Sequence, residues 1–198
     1  FIDRAKELDI NLSILPTINH KNVDYINEYT KLSKKLGTNI SFSLFTVKPD
    51  DENREFVLTT DDLKKIVDYY RVNEIEVEDV PLKDCLEGKC NCGTGEQLIS
   101  VGTDGSLYPC HMLMEDEFKM GNLLEKDVMS LLVHNAKRKY GVEVDDMDGC
   151  KECEFKYLCG GGCRARAYLY TDKITSKDPF CPMYYGFFDE VMNNLIAG

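Results

Sequence analysis

All nine cysteines of this 198-residue chain fall between Cys85 and Cys181, and residues 1–84 contain none. That asymmetry marks two regions with different chemistry. The number is odd, too high for an ordinary intracellular core and too low for a disulfide scaffold of this length. Four of the cysteines crowd together in the run Cys150-x2-Cys153-x5-Cys159-x3-Cys163. Thiolates at such short separations can converge on one inorganic centre, because short loops bring sulfurs together without a scaffold. Between Asp145 and Cys163 aliphatic residues are few and glycines many, so side chains alone cannot build a core there and metal should organise it. Gly160-Gly161-Gly162 lets the backbone approach a cluster and offer amide hydrogens to its sulfides.

A structural zinc site is the alternative, and four close cysteines alone would make it the default. Two features favour iron–sulfur. The spacing lacks the paired knuckles, separated by a longer loop, of zinc ribbons. Four more cysteines lie upstream (Cys85, Cys90, Cys92, Cys110) and one, Cys181, downstream, enough for a second four-thiolate site. Thiolate sites of this kind suit both metals, so the number of thiolates decides.

The cysteine-free region alternates strand and helix patterns. Asp9–Ile18 is β-rich and ends at Asn19; residues 22–36 place Val23, Ile26, Tyr29, Leu32 and Leu36 near helical spacing, with Gly37 as a C-terminal cap. Asn39–Val47 is a second strand, and Thr60 can cap a helix whose Leu63, Ile66, Val67 and Tyr70 share a face. That order implies parallel strands with helical crossovers. Two strands cannot close a sheet, and Phe1-Ile2-Asp3-Arg4 reads as mid-helix, so the expectation is a piece of a longer protein. Beyond Pro81 the pattern changes. Leu98–Val101 and Ser106–Tyr108 flank Gly102-Thr103-Asp104-Gly105, a hairpin signal. Residues 125–139 suggest a helix with Val128, Leu131, Leu132 and Asn135 on one side, and Tyr184–Ala197 an amphipathic helix that packs back.

The net charge of −11 is spread along the chain, which argues against nucleic acid as a partner, since phosphate binding needs a basic stripe. No run approaches the roughly 18 apolar residues of a membrane-spanning helix.

The set Cys92-x12-Gly105-x4-Cys110, the Cys150–Cys163 run and Cys181 resembles the seven-cysteine signature of the SPASM domain. That domain is the C-terminal extension of radical S-adenosylmethionine (SAM) enzymes that mature peptides and proteins. The resemblance covers roughly residues 85–183, and the Leu98–Pro109 hairpin and Met120-Gly121-Asn122 share it. It implies an α/β then α+β architecture. Residues 1–80 would be the C-terminal strands and helices of a partial (β/α) radical SAM barrel. Residues 81–198 would be the SPASM domain, with a small hairpin and short helices.

The resemblance also implies two [4Fe–4S] clusters with interleaved ligands. Cys150, Cys153, Cys159 and Cys181 would hold the outer cluster. Cys92, Cys110 and Cys163 would hold the inner one with an additional upstream thiolate, for which Cys85 is favoured over Cys90. Some relatives leave one iron open to substrate. Asn19, at the expected C-terminal end of a strand, sits where barrel enzymes place ligand-binding residues and could touch SAM, although a capping asparagine is the simpler reading. His111 follows Cys110 where sulfatase-maturating relatives carry an aspartate base; an imidazole can take that proton too. The departure points away from sulfatase maturation, toward maturases that join a cysteine sulfur to carbon in ribosomally made peptides. His20 and His134 read as structural. Arg164 and Arg166 either balance a cluster's charge or form a solvated helix face, and Phe155, Tyr157 and Phe180 shield the clusters. A peptide or protein substrate, an electron donor or acceptor such as a ferredoxin or flavodoxin, and a cytoplasmic location follow from the resemblance. The C-x3-C-x2-C triad of radical SAM enzymes is missing, so this chain alone is expected to be inactive.

Overall fold

Two parallel strand pairs begin the chain in the computed structural model, which describes residues 1–72, 88–125 and 140–197. After a short helix α1 (Ile2–Glu7), β1 (Ser13–Ile14) pairs with β3 (Asn39–Ile40) and β2 (Thr17–Ile18) with β4 (Ser43–Leu44). Each sequence-predicted strand is thus split in two. The register is unbroken, with Asn39, Ser41, Ser43 and Phe45 N–H donating to the carbonyls of Leu12, Ile14, Pro16 and Ile18. Proline explains the interruption. Parallel pairing in this register would aim the N–H of residue 16 at Ser41, and Pro16 has none to give.

The crossover is a 3-10 turn (Val23–Tyr25) leading into α2 (Ile26–Leu36). Its inward face differs from expectation. Leu32 is 45% exposed, and the buried position is Ser33, whose hydroxyl donates to Thr38 O over 2.6 Å as the helix ends in left-handed Gly37. The next helix, α3 (Thr60–Val72), is capped one residue earlier than predicted. Thr59 and Asp62 form the reciprocal cap: Asp62 N–H donates to Thr59 Oγ1, and Asp62 Oδ2 accepts from Thr59 N–H (2.9 Å) and its hydroxyl (2.7 Å). Leu63 and Ile66 face the core as expected.

Contacts divide the chain into two units, residues 1–87 with 182–198, and residues 88–181. In the first, Ile18, Val23, Ile26, Leu58, Leu63 and Ile66 form the core together with Met183, Phe187 and Phe188 of the last helix, α6 (Cys181–Ala197). The tail helix therefore belongs with the strand–helix region, as Gly186 lying against Val67 illustrates. The 80/81 boundary and residues 126–139, with the helix and His134 assigned there, lie outside the described residues.

In the second unit, β5 (Ser100–Val101) and β6 (Ser106–Tyr108) form an antiparallel hairpin across Gly102–Gly105. A further strand, β7 (Gly121–Asn122), pairs with β6 to complete a three-stranded sheet. Below it Tyr108, Cys110, Leu113, Phe118, Tyr140 and Ala165 are buried together, with the Phe118 and Tyr168 rings edge to face at 4.8 Å. A smaller cluster joins Val144, Met147 and Cys150. Two short helices follow, α4 (Lys156–Cys159) and α5 (Arg164–Thr171). No helix among the described residues is long and apolar enough to cross a membrane.

Candidate iron–sulfur site

Between α4 and α5 the chain passes through three consecutive left-handed residues, Gly160, Gly161 and Gly162, at φ 63°, 82° and 72°. An L-residue held in this region costs about 1–2 kcal/mol each, so the run requires glycine on backbone grounds alone. Space demands it as well: a Cβ on Gly160 would lie 2.8 Å from Asn91 O, and one on Gly161 would strike Met147 Sδ. This turn ends α4 at Cys159 and restarts the chain at Cys163, which caps α5 through a hydrogen bond from Arg166 N–H to Cys163 Sγ (3.4 Å). Cys159 and Cys163, only four positions apart, consequently leave the turn in different directions.

The eight described cysteines are all free thiols. Like-charge repulsion acts between several of them. Cys181 lies close enough to Cys150, Cys153 and Cys159 for the ionised thiols to oppose one another, as do Cys150 and Cys153. Cys92 stands in the same relation to Cys110 and to Cys163. Each set draws on distant segments. Cys90 is exposed and lies near Tyr157. Cys85 is outside the described residues. Among those described, no three His, Cys, Asp or Glu side chains close on a point tightly enough to hold a single metal ion.

Burial pushes the Cys110, Cys150, Cys163 and Cys181 thiols up, and Cys159 up to about 12. These thiols keep their protons at neutral pH, so metal binding must release them. The donor set fits an iron–sulfur centre: soft sulfur ligands, mostly screened from water, with glycine backbone beside them.

One carboxylate ties together the backbone at Cys163 and at Phe180, just before Cys181. Asp178 is buried (3% exposed) and takes a two-pronged ion pair from Arg166, Nε to Oδ1 and Nη2 to Oδ2, both 2.7 Å. Asp178 Oδ2 accepts from Cys163 N–H (2.6 Å), Oδ1 accepts from Phe180 N–H (2.8 Å), and its carbonyl accepts from Cys181 N–H (2.9 Å). A single residue thus holds the backbone of both Cys163 and Cys181. The Arg166 guanidinium also stacks 4.1 Å over the Phe180 ring. Both Arg164 and Arg166 are buried, which overturns the solvated-face reading of this pair. Phe155 and Phe180 are buried too, whereas Tyr157 is 48% exposed and hydrogen-bonds Asp145. Sequence reasoning missed Asp178, because an aspartate in a polar Ser-Lys-Asp-Pro stretch reads as surface. It also missed Thr94, a buried residue whose hydroxyl lies 3.0 Å from Cys92 Sγ.

His111 is exposed, with Nδ1 3.8 Å from Cys110 Sγ. Asn19 directly follows β2 and spends its Oδ1 on Lys21 N–H (2.8 Å), a capping contact. His20 Nδ1 pairs with Asp62 Oδ2 at 2.7 Å, joining the α3 cap.

Residues 90–154 match the family model of the SPASM domain, an iron–sulfur cluster-binding domain. The match covers about a third of the chain, the segment that holds Cys90, Cys92, Cys110, Cys150 and Cys153. A cysteine-type anaerobic sulfatase-maturating enzyme of Clostridium novyi is 29% identical over 116 residues, 58% of this chain and 30% of that protein. An AdoMet-dependent heme synthase of Methanosarcina barkeri is 24% identical over 91% of this chain and 58% of its own length. Among solved structures, native anSMEcpe with bound AdoMet superposes with a TM-score of 0.72 at 21% identity, covering 98% of this chain and 58% of that one. The same protein with AdoMet and the Kp18Cys peptide gives 0.73 at 20% identity. At these identities the structural likeness speaks for the fold. The chain spans under two thirds of the length of each of these relatives. The SPASM domain binds iron–sulfur clusters, and two thiols outside the matched segment feel thiols inside it, Cys163 from Cys92 and Cys181 from Cys150 and Cys153.

Proposed function

We propose that this chain is the auxiliary-cluster portion of a cytoplasmic radical SAM enzyme that oxidatively modifies a ribosomally made peptide or protein, by thioether formation or a similar bond-forming step. The observation that supports the reading is that Cys181 opposes Cys150, Cys153 and Cys159 while Cys92 opposes Cys110 and Cys163. Cys150, Cys153, Cys159 and Cys181 would hold an outer [4Fe–4S] cluster, and Cys92, Cys110 and Cys163 an inner one completed by Cys85. Bound clusters supply one-electron acceptance, or an open iron for substrate. The chain's own residues set the rest: Asp178 and Arg166 hold Cys163 and Cys181 in place, Thr94 offers its hydroxyl to Cys92, and Phe155 and Phe180 exclude water.

His111 is the candidate base, exposed beside Cys110 where it can reach a substrate proton. Asn19 lies after a parallel strand and has its amide nitrogen unpartnered among the described residues, the group left to meet SAM. Residues 1–72 would form the closing strands and helices of a partial (β/α) barrel; their parallel pairs and helical crossover support this. The sequence contains no C-x3-C-x2-C triad, so radical initiation would rest on residues other than these. A ferredoxin or flavodoxin would exchange electrons with the clusters. Metal analysis of anaerobically purified full-length protein tests the reading. Two clusters correspond to about eight irons in addition to any SAM-cleaving cluster. One or two zincs without visible absorbance would refute it.

A further inference from the structure

Thr94 is 3% exposed, and its hydroxyl lies 3.0 Å from Cys92 Sγ. Buried side-chain hydroxyls mostly bond to backbone or water; among the described residues this one has a sulfur partner instead. A tight turn fixes its place. Gly93 and Gly95, on either side of it, are left-handed at φ 79° and 72°, and the Gly93 carbonyl accepts from Gln97 N–H (2.8 Å) and Leu98 N–H (2.9 Å). Gly95 N–H donates to Pro109 O (2.9 Å), which ties the turn to the residue before Cys110. The Thr94 hydroxyl also favours the ionised form of Cys110, against the effect of that thiol's burial. The other thiols of the proposed inner set receive backbone donors: Cys110 Sγ accepts from Met112 N–H (3.5 Å) and Cys163 Sγ from Arg166 N–H (3.4 Å). At Cys92 that place is taken by the hydroxyl of Thr94.

We propose that Thr94 is a positioning residue for the inner cluster, its hydroxyl donating a hydrogen bond to the Cys92 sulfur that orients this ligand and raises the cluster's reduction potential. The inference rests on the two-cluster reading above, in which Cys92, Cys110 and Cys163 are ligands. In the free protein either atom can donate, because oxygen and sulfur each carry a proton. Ligation removes the thiol proton. From then on only the threonine has a hydrogen to give, and the bond runs in one direction. A ligating sulfur carries more negative charge when the cluster is reduced, so a donor aimed at it stabilises the reduced form more than the oxidised form. Because Thr94 is buried, water competes little for its hydroxyl. The hydroxyl and not the methyl is the working group. Serine should therefore replace threonine, and valine, of nearly the same shape, should not.

The test uses full-length protein with anaerobically reconstituted clusters and a potentiometric titration followed by electron paramagnetic resonance. The inner signal is identified as the one lost in Cys110→Ser, the outer as the one lost in Cys153→Ser. A wild-type protein without two auxiliary clusters, or one signal lost in both cysteine variants, overturns the two-cluster reading and the proposal with it, before any threonine variant is made. With both clusters present, Thr94→Val is expected to shift the inner couple roughly tenfold toward the oxidised form, about 59 mV for one electron. The outer couple should stay where it is, and Thr94→Ser should keep the wild-type potential. An unchanged inner potential in the valine variant, equal shifts of both couples, or a serine variant shifted as far as valine overturns the proposal. If Thr94→Val cannot retain the inner cluster, Thr94→Ser decides. Inner iron retained by serine at the wild-type potential supports the hydroxyl, and iron missing with serine too means that the methyl group packs the turn and the proposal fails.

Discussion

Replacing Asp178 with alanine probes the residue on which both thiol sets depend. The substitution removes a two-pronged ion pair with Arg166 at 2.7 Å, between side chains 4% and 1% exposed, and strips two buried N–H groups, of Cys163 and Phe180, of their acceptor. Breaking a buried pair by deleting one partner costs about 3–5 kcal/mol, because the remaining charge stays in low dielectric. The two orphaned amides add about 1 kcal/mol or more each. Bound clusters return part of this by holding Cys163 and Cys181 from the other side. A loss near 4 kcal/mol would lower the melting temperature of a unit of this size by roughly 15–30 °C. Differential scanning calorimetry under anaerobic conditions measures the shift, and iron content on the same samples reports cluster retention. Asp178→Asn keeps one acceptor oxygen but loses the charge, and is expected to fall between wild type and alanine. A shift below about 4 °C with full iron, corresponding to less than 1 kcal/mol, would refute the assignment of Asp178 as the common anchor.

Further outcomes follow from individual thiols and turns. Cys153→Ser and Cys110→Ser are each expected to remove about four irons and to abolish different paramagnetic signals; loss of one and the same signal would sink the division into two sets. Cys90→Ser should leave the iron content unchanged while Cys85→Ser lowers it, and the reverse result would exchange their roles. Gly160→Ala is expected to cost about 2 kcal/mol or more, from left-handed strain plus a Cβ 2.8 Å from Asn91 O, and thermal melting that matches wild type would contradict it. Burial works to raise the Asp62 carboxyl, but its bonds to His20 and Thr59 prevail and hold it below its ordinary value of 3.8. A carboxylate depressed in the folded state stabilises above the unfolded pKa and loses that contribution as pH falls through the folded one. The stability gap between wild type and Asp62→Asn in urea should therefore be constant above about pH 5 and close below pH 4. A gap that persists at pH 3 would show that the charge of Asp62 is not what matters.

Which features were legible depended on whether their cause is local. The cysteine spacing, the Asp104-Gly105 hairpin and the Gly37 cap rest on a few neighbouring residues, and each can be seen in the one-dimensional pattern. Strand β7 could not be, because two residues after a loop acquire strand character only by pairing with Ser106 and Leu107. Leu32 and Ser33 exchanged roles for a similar reason. Hydrophobicity favours the leucine inside, but the helix phase set by Val23 and Ile26 turns position 33 inward, and the Thr38 carbonyl satisfies its hydroxyl. The arginines were the hardest. Charged residues at alternate positions on a helix normally face water, and their burial depends on Asp178 and on carbonyls 10 to 12 residues away in sequence.

The proposed division of the Cys150–Cys163 run between two sets turns on the glycine reversal. Spacing alone predicts that four thiols this close serve one centre, because a short flexible loop samples a small volume. The three left-handed glycines are not a flexible loop. At φ 63°, 82° and 72°, pressed against Asn91, Met147 and Asp178, they form a rigid reversal that fixes the directions in which Cys159 and Cys163 leave it. The α5 cap then anchors Cys163 by its own sulfur, and Asp178 anchors it by its backbone. In the proposed assignment Cys163 serves with Cys92 and Cys159 with Cys181. On that assignment the glycines that let backbone approach a cluster would also keep the two thiol sets apart. A Gly161→Ala chain that still folded would test this directly, since relaxing the reversal should mix the two paramagnetic signals, and unaltered signals would show that the thiols alone select their partners.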